Sequence, residues 1–93
     1  MDMIGQVVFS KRGRDAGRLY VVTGMMQNFC CIADGRYRKL QNPKKKNPRH
    51  LVFTGDFLEP DQYQFNKTLW KALKNLEERK VDRPDAKGGN ADV

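Results

Sequence analysis

The apolar positions change their period once along this chain, and the change divides it in two. From Gln6 to Thr54 they come in short runs rich in β-branched and aromatic residues, broken by Gly, Asp, Asn and Pro. Runs of that kind read as strands. Gln6–Ser10 is the first and Arg18–Thr23 the second. Gly24–Asn28 interrupts the pattern and reads as a turn, and Phe29–Ala33 is a third strand. Asp34-Gly35 follows it as a two-residue hairpin signal, because both residues tolerate positive φ. Arg36–Leu40 is then the returning strand, with Tyr37 on one face and Arg36 and Arg38 on the other. Gln41–Pro48 reads as a polar, basic loop, and His50–Thr54 as a last short strand. Strands this short, with no helical period between them, predict a mainly β fold: a small antiparallel barrel whose closure would remove exposed sheet edges.

Beyond residue 58 the period becomes helical. Phe65, Leu69, Leu73 and Leu76 fall on one face, and Trp70 widens the stripe. Either Asp61 or Asn66 can cap the start, and Asp61 with Gln64 has capping-box spacing. The stripe predicts one C-terminal α-helix docked on the barrel, since a free helix of this length is marginal in water. Presentation of the stripe to another protein is the alternative. After Lys80 the chain turns polar and reads as a disordered tail. The expected organisation is a barrel over 1–58, a helix over 59–80 and a tail over 81–93.

Composition sharpens the picture through charge. The 93 residues are 31% charged and 39% hydrophobic, which suits one small core with polar appendages. The net charge is +7. Residues 1–58 hold eleven Lys and Arg against four acids (Asp2, Asp15, Asp34, Asp56), so the whole surplus lies in the expected barrel. Such asymmetry marks a binding face for an anionic partner, nucleic acid before a membrane surface. No apolar run approaches a membrane span, and the N-terminus lacks the apolar core of a signal peptide. Cys30 and Cys31 are adjacent, and a disulfide between neighbours is strained. Two free thiols in a reducing compartment, the cytoplasm, is the reading they support, with one side chain inward and the other outward.

Three basic clusters are the candidate binding residues. Lys11, Arg12, Arg14 and Arg18 surround Gly13 and Gly17 in the first loop, where cations and backbone N–H groups can meet phosphates together. Lys44, Lys45, Lys46, Arg49 and His50 lie among Asn42, Pro43, Asn47 and Pro48, an extended segment that can follow a phosphate backbone. Arg36, Arg38 and Lys39 flank Tyr37, which reads as a half-buried barrel tyrosine with base stacking as the alternative; Tyr20 reads the same way. For the first cluster a merely solvated turn is the competing interpretation, and for the second a flexible loop kept charged for solubility. Catalysis finds no footing. The single His50 has no metal-ligand spacing around it, the carboxylates form no acid/base pair, and no phosphate-binding Gly-x-x-x-x-Gly-Lys-Ser/Thr loop is present. No enzyme activity, metal or cofactor is expected, and no small-molecule substrate.

The segment Ile4-Gly5-Gln6-Val7-Val8, then Lys11-Arg12-Gly13-Arg14-Asp15-Ala16-Gly17-Arg18 before an apolar strand, resembles a KOW motif, with Gly17 as its characteristic glycine. Ile32-Ala33-Asp34-Gly35, the basic Arg36–Lys39 run and the later His50-Leu51-Val52-Phe53-Thr54 resemble the eukaryote-type large-subunit ribosomal proteins fourteen and twenty-seven and short bacterial KOW-domain RNA-binding proteins. The resemblance spans about residues 3–56 and leaves the helix and tail uncovered. It implies an SH3-like barrel, ribosomal or other structured RNA as ligand, association with the ribosome (its large subunit), a part in translation, and no catalysis. KOW motifs also occur in transcription elongation factors of the NusG type. A transcription or translation factor using this face mainly for protein contact therefore remains an alternative, as does a DNA-binding protein.

Overall fold

The computed structural model describes residues 3–11 and 17–81. Strand β1 (Gln6–Ser10) pairs antiparallel with β2 (Leu19–Met26), which pairs with β3 (Phe29–Ala33), which pairs with β4 (Lys44–Lys46). Strand β5 (Leu51–Phe57) returns to the far side of β1, giving one five-stranded sheet in the order β4-β3-β2-β1-β5. A single helix, α1 (Asn66–Val81), follows. The mainly β class with one C-terminal helix is thus as the sequence indicates. The barrel is not closed, because β4 and β5 are edges rather than partners. The strand order is compatible with an SH3-like arrangement open at that seam. Three residues of β4 give a short ladder, and the 3-10 turn Pro48–His50 carries the chain from β4 to β5 without one. Lysines on a short edge strand also discourage pairing with another chain.

Both faces of the sheet are buried, which is why Val7-Val8 and Leu19–Val22 read as unbroken apolar runs rather than alternations. Alternate residues go to opposite faces. Val7, Val21 and Ala33 meet Leu58 and the helix residues Leu69, Leu73 and Leu76. Val8, Tyr20, Val22, Cys30, Ile32 and Leu51 form the second cluster on the other face. The expected helical stripe therefore docks as anticipated through its three leucines. Phe65 does not join it: it precedes the helix and is 64% exposed.

Four local expectations change, each for a physical reason. The turn expected over Gly24–Asn28 shrinks to Gln27 and Asn28, because Gly24 is absorbed as an irregularity between Val22 and Gly24 and β2 continues through Met26. Gln27 takes the positive φ of 54° that the tight turn demands. Arg36–Leu40 is not a strand. The Asp34 carboxylate accepts from the N–H groups of Arg36 and Arg38, each at 2.9 Å, while the Asp34 and Gly35 N–H groups donate to the Arg38 carbonyl. Those bonds consume the backbone groups that a ladder needs. The returning strand is instead Lys44–Lys46, inside the segment expected to be loop. His50 ends the 3-10 turn rather than starting β5, because Asn47 caps that turn from its side-chain oxygen to the Arg49 N–H at 3.0 Å. Neither Asp61 nor Asn66 caps α1: Glu59 and Gln62 organise the preceding 3-10 turn Pro60–Gln62, and the Asn66 side chain reaches elsewhere. The tail expected after Lys80 lies outside the described residues from position 82 onward, Val81 being the last helical residue.

Candidate nucleic-acid interface

The first loop leaves β1 at Ser10 and re-enters the sheet at Leu19. Its base is closed by the Gly17 N–H donating to the Ser10 carbonyl at 3.0 Å. Gly17 has φ +86° and open space where a Cβ would stand, so glycine is required there by conformation rather than by crowding. Of the first predicted cluster, Arg12, Gly13 and Arg14 lie outside the described residues; Lys11, Gly17 and Arg18 are described and exposed.

Two further basic segments meet this loop base from opposite sides. On one side the Lys11 N–H donates to the His50 carbonyl at 2.8 Å, beside the exposed Arg49. On the other side the Arg18 guanidinium stacks 4.0 Å from the centre of the Tyr37 ring. Arg36 stands 5.7 Å from the same ring and 5.2 Å from Trp70. The chain leads directly from β4 through Asn47 into Pro48–His50, so the lysines adjoin the Arg49 end. Lys45 pairs opposite Cys31 and is exposed. Lys44 and Lys46 pair opposite the buried Ile32 and Cys30, so they share the core-facing side and are half-buried. Arg38 is half-buried and Lys39 exposed on the Asp34–Lys39 loop. Separate stretches of sequence thus meet at the base of the first loop: the Arg49 turn through the Lys11–His50 contact, and Arg18 and Arg36 through Tyr37, while the β4 lysines precede the Arg49 turn in the chain.

The Tyr37 loop is held rigidly against the helix. Asn66 Oδ1 accepts from the Leu40 N–H at 2.7 Å, and Asn66 Nδ2 donates to Gln41 at 2.8 Å. Gly35, with φ +86°, packs against the Asn66 backbone so closely that an added Cβ would collide with it. Tyr37 is 54% exposed, not the half-buried core residue its strand reading implied. It lies in a bend, where strand alternation does not apply. Tyr20 is fully buried rather than half-buried.

Sequence reasoning missed Trp70 and Lys74 as members of this surface. Trp70 lies edge to face with Tyr37, ring centres 5.9 Å apart, and the Lys74 ammonium is 5.5 Å from the Trp70 ring. The available signal was their i, i+4 spacing beside the Leu69–Leu73 stripe, which places a cation and an aromatic together at the stripe's edge. Among the described residues no group of three or more His, Cys, Asp or Glu side chains stands together as a metal site, and no helix is long and apolar enough to cross a membrane. Cys30 and Cys31 are both free. Cys30 is fully buried, and that burial raises its thiol above its ordinary value of 9.0, with the neighbouring Cys31 adding to the effect.

No protein-family model matches this chain, and no curated protein matches it.

Proposed function

We propose that this chain is a non-catalytic, cytoplasmic RNA-binding protein of the KOW type that grips the phosphates of structured RNA, ribosomal RNA foremost, and associates with the ribosome. The observation carrying this reading is that the Lys11–His50 backbone contact brings the Arg49 turn to the base of the first loop, where Arg18 also stacks on Tyr37 beside Arg36. Cations scattered for solubility have no reason to converge from separate chain segments onto one rigid framework. Phosphate neutralisation releases condensed counterions, and that release rather than base reading would supply most of the affinity. Recognition would then follow the shape of a folded RNA.

The test in cells is sedimentation of a native lysate through sucrose at low and high salt. Co-migration with a ribosomal particle that is lost at high salt fits an electrostatically held associate, and retention at high salt fits an integral subunit. Material confined to the top of the gradient in both conditions refutes the ribosomal assignment.

A further inference from the structure

Between the Tyr37 loop and α1 lies a pocket of about 200 Å³ whose lining includes Arg18, Asp34, Tyr37, Trp70 and Lys74. Asp34 is 1% exposed. Its Oδ1 accepts two backbone N–H groups, which fixes the carboxylate's orientation, while its Oδ2 is buried with no hydrogen-bond partner among the described residues. A buried acceptor without a donor is costly unless something supplies one. Resting on the RNA-binding reading, we infer that this pocket takes one unstacked nucleobase of the bound RNA, its lining side chains yielding so that an exocyclic amine can donate to the buried Asp34 Oδ2.

Each component of the pocket selects for that chemistry. Tyr37 and Trp70 offer π surface at an edge-to-face corner, and the planar guanidinium of Arg18 extends it. Bases stack on aromatic rings and on guanidinium planes alike. Arg18, Arg36 and Lys74 oppose a cationic side chain as occupant, although Glu77, 3.6 Å from Lys74 and also in the lining, offsets part of that charge. Asp34 opposes a carboxylate or phosphate reaching the floor. What remains is a flat, neutral ring carrying N–H donors and attached to an anionic chain. The volume is below the ~300–1,000 Å³ typical of pockets enclosing drug-sized ligands, which suits a base with its sugar and phosphate outside. Uracil fits worst, because its one N–H is flanked by two carbonyls that face the carboxylate. Guanine, cytosine and adenine each carry an exocyclic amine.

The chain has one tryptophan, so the indole N–H resonance of Trp70 reports on the pocket directly. The full chain is titrated with GMP, CMP, AMP, UMP, ribose 5-phosphate and N-acetylarginine amide. The amine-bearing nucleotides shift Trp70, UMP binds at least about tenfold more weakly, as one lost hydrogen bond to a charged group implies, and ribose 5-phosphate leaves the indole unmoved. Asp34→Asn keeps an oxygen for the Arg36 and Arg38 N–H groups but turns the floor into a donor, so it erases the preference against UMP. Tyr37→Ala, which leaves the leucine core untouched, weakens all four nucleotides in a protein that still melts cooperatively. Equal effects of ribose 5-phosphate and GMP, stronger binding of N-acetylarginine amide, or an unchanged preference in Asp34→Asn would each overturn the pocket assignment. If structured RNA still binds with a steep salt dependence in those cases, the RNA-binding reading stands without the pocket. If nucleotides bind as stated but folded RNA does not, the RNA-binding reading falls instead.

Discussion

Gly17 and Gly35 look alike in sequence and in φ, yet the structure separates them. A Cβ at Gly17 meets nothing within 4 Å, so Gly17→Ala costs only the left-handed backbone strain, about 1–2 kcal/mol. At Gly35 the Asn66 backbone stands in the way, so collision adds to strain of about 1–3 kcal/mol, and the Tyr37 loop must part from the helix. Urea denaturation of the two variants should show the larger loss for Gly35→Ala; equal losses would contradict the packing at Asn66. The thiols separate similarly. Cys31 should react with a thiol reagent in the native protein, while fully buried Cys30 reacts only as the chain opens. Because the folded state raises the Cys30 thiol above 9.0, the native state keeps a proton that the unfolded chain releases there. The Cys30 contribution to stability is therefore constant through neutral pH and is lost as pH rises above about 9, and Cys30→Ala removes that share of any alkaline decline. A melt series from pH 7 to 10.5 on both proteins checks the sign.

At the scale of elements, the helix is held by Leu69, Leu73 and Leu76 against Val7, Val21 and Ala33. Leu73→Ala should destabilise the protein by about 2–5 kcal/mol. Phe65→Ala, at an exposed position, should stay within about 0.5 kcal/mol. A comparable loss at both positions would mean that the stripe docks one turn earlier. The contrast also shows where sequence pattern carried and where it stopped. Gln6–Ser10 and Phe29–Ala33 were legible to the residue because β-branched and aromatic residues fill them and turn residues bound them. The leucine stripe was legible from its period. The strand Lys44–Lys46 was not, since three lysines carry no apolar alternation and owe their conformation to pairing with Cys30–Ile32. The Asp34–Arg38 loop was hidden for a different reason: Asp-Gly suggests a hairpin equally well, and the Asp34 carboxylate's bonds to the Arg36 and Arg38 N–H groups, with the distant Asn66 anchor, decide against it. The basic residues of the candidate site were all visible as charge. Their convergence was not, because it depends on the Lys11–His50 and Arg18–Tyr37 contacts between segments far apart in the chain.

For the whole molecule, the account makes charge geometry the source of affinity. The full chain carries a net +7, and among the described residues the Lys11–His50 and Arg18–Tyr37 contacts bring Lys11, Arg49, Arg18 and Arg36 around the base of the first loop. Lys11, Lys45 and Arg49 are exposed and can be neutralised together without touching the core. The central measurement is the equilibrium affinity of the wild-type chain and the triple variant Lys11→Gln, Lys45→Gln, Arg49→Gln for a folded ribosomal RNA fragment across a salt series, with duplex DNA of equal length as competitor. The account predicts a linear fall of log affinity with log salt, a slope shallower by about two to three in the variant, and preference for the RNA over DNA at matched salt. A variant that binds like wild type with an unchanged slope, or wild-type protein that binds DNA and RNA equally, would contradict it.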